Sequence, residues 1–106
     1  AGGNEDLVKR LAQRYLINAR KVYGEMVAKG LDGDLIALGR LGHRLKSSSA
    51  QVGVNDIADA CIALEQLGER AAASGHATVE EHAEAAAIVD RLGPMLTALE
   101  AKFGSA

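Results

Sequence analysis

Apolar residues return every three or four positions along almost the whole chain, and that rhythm specifies helix. From Glu5 to about Ala28 they are Leu7, Val8, Leu11, Ala12, Tyr15, Leu16, Ala19, Val22, Tyr23, Met26 and Val27. A second run, from about Leu35 to Val52, places Leu38, Leu41, Leu45 and Val52 within roughly 60° of one another at about 100° per residue. The third, Asp56 to about Ser74, has Ile57, Cys61, Leu64 and Leu67 on its inward stripe. The last carries Ala85, Ile88, Leu92, Met95 or Leu96, Leu99 and Phe103. Four long amphipathic segments joined by short turns predict an all-α, antiparallel four-helix bundle.

The punctuation fits the same plan. Lys29-Gly30 offers a cation and a glycine cap to close the first segment. Asp32 or Asp34 can cap the second, Asn55 the third, and Thr78-Val79-Glu80-Glu81 forms a capping box before the fourth. Pro94 lies inside the fourth segment and is expected to kink it. Leu31-Asp32-Gly33-Asp34 lacks the ligand spacing of a calcium loop and reads as a turn. With no Trp and three aromatic residues among 106, the core must be built from Leu, Ile, Val, Met and Ala. That length predicts one domain, 1–106, with ends 1–4 and 104–106 expected to be disordered.

Composition narrows the function. A net charge of −2 leaves no electrostatic footprint for nucleic acid or an anionic membrane. The single Cys61 excludes an internal disulfide and reads as a packing residue in a reducing compartment. No run of 18 apolar residues occurs, and Ala1-Gly2-Gly3-Asn4-Glu5 has no signal pattern, so a cytoplasmic location without direct membrane contact is expected. His76 and His82 have no partners at metal-ligand spacing, and no metal site is expected.

The second segment carries the chemistry. His43 projects opposite the Leu stripe, beside Ile36, Gly39, Arg40, Lys46, Ser47 and Ala50. Three of those six are small, where a helix needing only solubility would carry Glu or Lys. The result is an accessible imidazole ringed by small side chains and cations. His43-x-Leu45-Lys46-Ser47-Ser48, with Gly53 ten positions after the histidine and Leu64-Glu65 in the next helix, resembles the histidine-containing phosphotransfer (HPt) domain. The family pattern is close to H-x-L-K-G-S-[SA]-x-x-x-G, and the chain departs from it once, with Ser47 where glycine is commonest. The likeness extends more loosely over about residues 7 to 103. The family commonly breaks its first helix, and no breaker marks that point here.

The resemblance implies a bundle with the phosphoacceptor His43 exposed mid-helix. It also implies a phosphorelay carrier that takes a phosphoryl group from a receiver-domain aspartate and passes it to another receiver. A neutral imidazole near its ordinary pKa of about 6.5 needs no separate base to attack phosphorus. Nε2 is the expected nucleophile because Nδ1 lies nearer the backbone. Lys46 is expected to neutralise phosphoryl charge. Ile36, Gly39, Arg40, Arg44, Ser47, Ala50 and Gln51 are expected to dock the partner, with Ser48 and Gly53 as structural motif positions. Ser48, Ser49 and Gln51 are also placed to brace the helix by local hydrogen bonds. The partners implied are receiver domains of response regulators or of a hybrid sensor histidine kinase. No cofactor is expected in this chain, Mg²⁺ being supplied by the receiver, and the chain is expected to be a monomeric carrier rather than an enzyme.

Two other readings compete. The dimerisation region of a histidine kinase would resemble H-E-x-x-[TN]-P, but Arg44 follows His43, no Thr-Pro pair comes after, and no nucleotide-binding glycine-rich segment is present. An adaptor bundle that binds receivers without transfer is opposed by the intact His43 and Lys46.

Overall fold

The computed structural model describes residues 2–104; Ala1, Ser105 and Ala106 lie outside the described residues. Four helices follow in order: α1 Gly2–Leu31, α2 Leu35–Gln51, α3 Asn55–Ser74 and α4 Val79–Phe103. Each packs on its sequence neighbours, and α1 closes the ring against α4. Cross-helix contacts run in opposite senses between α1 and α2, between α1 and α4, and between α2 and α3. Tyr15 meets Ser49 and Glu25 meets Arg44; Gln13 meets Phe103 and Arg20 meets Thr97. Gly39 and Gly42 of α2 meet Gly68 and Cys61 of α3. These contacts define an all-helical, four-helix bundle measuring 53 × 20 × 17 Å.

The inward stripes supply the core. Leu38, Leu41, Leu45, Ile57, Cys61, Leu64, Leu67, Ala85, Ile88, Leu92 and Leu96 are buried, joined by Tyr15, Leu16, Ala19, Val22 and Met26 of α1. Burial pushes the Cys61 thiol up to about 12, as expected of a packed, unreactive cysteine. Tyr15 is pushed up to about 12 by the same cause, and its hydroxyl pairs with the buried Ser49 at 2.6 Å.

Several boundaries differ from the sequence expectation. α1 is one unbroken helix of 30 residues, so residues 2–4 are helical and no short first helix separates. Gly30 stays inside α1. Gly33, at φ 70°, takes the left-handed position instead, where Asp34 N–H reaches back to the Lys29 carbonyl at 3.0 Å. Asp34, not Asp32, caps α2 by accepting from Ala37 N–H at 3.0 Å. Asn55 is the first residue of α3 and does not cap it. The cap position is Val54, which has no side-chain acceptor to offer.

Val52 was expected in the core but follows the end of α2 and is 40% exposed. Gly53 turns the chain there at φ 80°, and Val54 packs against the core instead. Leu7, Val8 and Leu11 are exposed too. Helix α1 spans about 45 Å at 1.5 Å per residue and outreaches its neighbours. An apolar cavity of about 240 Å³, lined by Val8, Leu11, Tyr15, Val52, Val54 and Phe103 among others, lies at this end of the bundle. The Thr78–Glu81 capping box forms as expected, and α4 continues as helix through Pro94.

Candidate functional site

The site begins with how closely α2 and α3 approach. A Cβ on Gly42 would stand 2.5 Å from the Cys61 carbonyl oxygen, and one on Gly68 would stand 2.9 Å from Gly39 Cα. Only glycine permits that backbone spacing. Gly39 is therefore buried in the helix crossing, where the sequence suggested an open docking position. It floors a groove of about 410 Å³ beside His43, walled by Ile36, Arg40, Arg44, Glu69 and Ala72.

Close helix spacing brings Glu65 of α3 against His43 of α2. Glu65 Oε2 bonds His43 Nδ1, and Glu65 Oε1 accepts from Lys46 Nζ at 2.5 Å. Lys46 first and His43 second hold the Glu65 carboxyl below the usual glutamate range. An ionised carboxylate can only accept. Nδ1 must therefore carry the proton, and in the neutral ring the lone pair lies on Nε2. The His43 side chain is 66% exposed, so that nitrogen faces solvent.

The flanking positions divide. Ile36, Arg40, Arg44, Ser47, Ala50 and Gln51 are exposed on α2. Arg44 reaches Glu25 of α1 at 3.4 Å, while Arg40 has no ion-pair partner among the described residues. Lys46 is half-buried and engaged by Glu65. Ser48 and Ser49 donate to the Leu45 carbonyl at 3.1 and 2.8 Å, bracing the last turns of α2. His76 and His82 stand apart from His43, and no group of three metal-ligating side chains forms among the described residues.

A family model described as the Hpt domain matches residues 5–102. The chain belongs to the Hpt domain family. Hpt domains are phosphotransfer carriers of phosphorelays, working with response-regulator receivers and histidine kinases. No curated protein and no solved structure matches the chain. None of the described helices of this Hpt domain is long and apolar enough to cross a membrane.

Glu65 is the residue that reading one helix at a time did not place. Its signal was the Leu64-Glu65 pair, which marked the resemblance without revealing that the carboxylate spans two side chains. The bond joins positions 22 apart in sequence and depends on the register of α3 against α2.

Proposed function

We propose that His43 accepts a phosphoryl group from the aspartyl phosphate of one receiver domain and passes it to the aspartate of another. The exposed Nε2 lone pair attacks phosphorus as the P–O bond to the aspartate breaks, and that carboxylate leaves. The phosphorylated ring retains its Nδ1 proton, and its positive charge faces the Glu65 carboxylate. Return transfer reverses the same bonds. The receiver supplies Mg²⁺ and most of the stabilisation of the moving group. Lys46 is one helical turn from His43, close enough to shift from Glu65 towards the phosphoryl oxygens. Ile36, Arg40, Arg44, Ser47, Ala50 and Gln51 form the docking face on α2, with Gly39 as its floor.

The observation that carries this reading is the Nδ1–Glu65 bond, which leaves the exposed ring nitrogen as the basic one. His43→Gln is expected to abolish acid-labile labelling by every phosphorylated receiver. Helicity and melting temperature should stay nearly unchanged, since an exposed substitution typically moves stability by no more than about 0.5 kcal/mol. Label retained on the His43→Gln chain would refute the assignment. Binding of receivers to wild type without any label would favour the adaptor reading.

A further inference from the structure

Charge is divided along this chain. Residues 1–53 hold nine of the twelve Lys and Arg but five of the fourteen acidic residues, a surplus of four positive charges. The remainder has three cations against nine acids, a deficit of six. Folding turns this into two sides, because α1 lies beside α2 while α3 lies beside α4. His43 stands near the border between them.

On α1 three of the five cations without an ion-pair partner among the described residues are aligned. Arg10, Arg14 and Lys21 fall within about 40° of one another on the helix. All three are exposed, and none has an ion-pair partner among the described residues. Ile17, 58% exposed, sits between Arg14 and Lys21 in the same stripe. The register of α1 on α2 is fixed by Glu25 at Arg44 and Tyr15 at Ser49. Lys21 therefore lies about one turn from the level of Arg44 towards Ser47, and Arg14 about 10 Å further along α1. The stripe continues the exposed Arg40 and Arg44 of α2 onto the neighbouring helix. Across the groove on the α3 side stand Glu65 and Glu69.

We infer that Arg10, Arg14 and Lys21 of α1, with Ile17 among them, form an extension of the His43 docking face that receives an acidic surface of the receiver domain. This rests on the phosphotransfer reading above and adds the side from which the partner arrives. A receiver centred over the α2–α3 groove would lay its acidic surface on Glu65 and Glu69. Tilted over α1, it meets unpaired cations and one exposed apolar side chain. Charges at the rim of an interface act chiefly on the association rate and its salt dependence.

The test compares two double reversals with the same change in net charge. Arg14→Glu with Lys21→Glu alters the stripe; Arg91→Glu with Lys102→Glu alters exposed positions on α4, diagonal to α2. The probe is whichever purified, phosphorylated receiver labels wild-type His43 fastest. The α1 pair should lower kcat/KM for transfer about tenfold at low salt, and the loss should shrink to within about twofold in 1 M salt, where the screening length is about 3 Å. The α4 pair should change it less than about twofold. Labelling by the small donor phosphoramidate should be equal in all three, showing that folding and the His43 nucleophile are intact.

An α1 pair that transfers as fast as wild type at low salt overturns the inference while leaving the phosphotransfer reading standing. Equal losses from both pairs overturn it as well, because net charge alone would then be responsible. Cosedimentation of wild type, but not the α1 pair, with anionic phospholipid vesicles at 0.1 M salt would assign the stripe to a lipid surface instead. A wild-type chain that takes label from no receiver removes both the phosphotransfer reading and this extension.

Discussion

At the residue scale, the Glu65 carboxylate has two tasks. It fixes the His43 tautomer through Nδ1 and holds Lys46 in waiting beside it. Glu65→Ala removes both and frees the ring to protonate at Nε2, where it is no longer a nucleophile. Phosphoryl acceptance should fall about ten- to a hundredfold, the scale on which losing a carboxylate that orients a metal-binding histidine acts. Nitrogen-15 shifts of the His43 ring should show the Nε2–H tautomer gaining population. Glu65→Gln retains an acceptor for Nδ1–H and should keep the tautomer while losing the charge; it should fall between wild type and Ala. Ring shifts unchanged in Glu65→Ala would mean that the tautomer is set elsewhere. Ser47 tests the open surface separately. Ser47→Trp should block transfer from a receiver by exclusion yet leave labelling by phosphoramidate intact.

At the scale of elements, the decisive feature is the α2–α3 crossing. Alanine is a better helix former than glycine by about 1 kcal/mol, so propensity alone makes any interior Gly→Ala stabilising. At Gly24 nothing lies within 4 Å of an added Cβ, and Gly24→Ala should gain about 0.5–1 kcal/mol in urea unfolding. At Gly42 the Cβ would meet the Cys61 carbonyl oxygen at 2.5 Å, a backbone atom that moves only if the helices part. Gly42→Ala should therefore cost about 1–3 kcal/mol, the range for overpacking. It should also slow transfer by drawing Glu65 away from His43. A Gly42→Ala chain as stable as wild type would show that the crossing tolerates a wider spacing.

Those glycines mark where the sequence could be read and where it could not. Thr78 and Glu81 are legible because a capping box closes within four residues. His43 is legible because its wheel position is set by its own helix. Gly39 is not, since a small residue at the edge of the apolar stripe looks open until a second backbone occupies the gap. Glu65 depends on the register of two helices, which no single periodicity encodes. Leu7, Val8 and Leu11 keep the helical rhythm, but rhythm does not say how far the neighbouring helices extend. Gly30 and Gly33 both qualify as caps. The bond from Asp34 N–H to the Lys29 carbonyl selects Gly33.

At the scale of the molecule, carboxylates on three seams link the helices, and each is held below the ordinary glutamate range. Glu100 pairs with Arg20 at 2.8 Å between α4 and α1, and Arg20 is its main cause. Glu81 is lowered first by the Thr78 backbone N–H and then by Arg70 of α3. Glu65 joins α3 to α2. A carboxyl with a depressed folded pKa binds fewer protons folded than unfolded near pH 4. Its contribution is therefore complete above the unfolded value of about 4.3 and fades as pH falls through the lower, folded value. The urea midpoint should be flat from about pH 7 to 5 and drop below about pH 4.5. Glu100→Gln, which keeps the shape but removes the charge, should lower the midpoint at pH 7 and make the acid drop shallower. Cys61 supplies an independent reporter: buried and with its thiol at about 12, it should react with a thiol reagent only as the bundle opens. The logarithm of its labelling rate at pH 7 should rise in Glu100→Gln in proportion to the loss of stability read from urea. Fast Cys61 labelling in a chain that urea shows to be fully folded would mean that α3 opens locally, apart from the seams that Glu81 and Glu100 close.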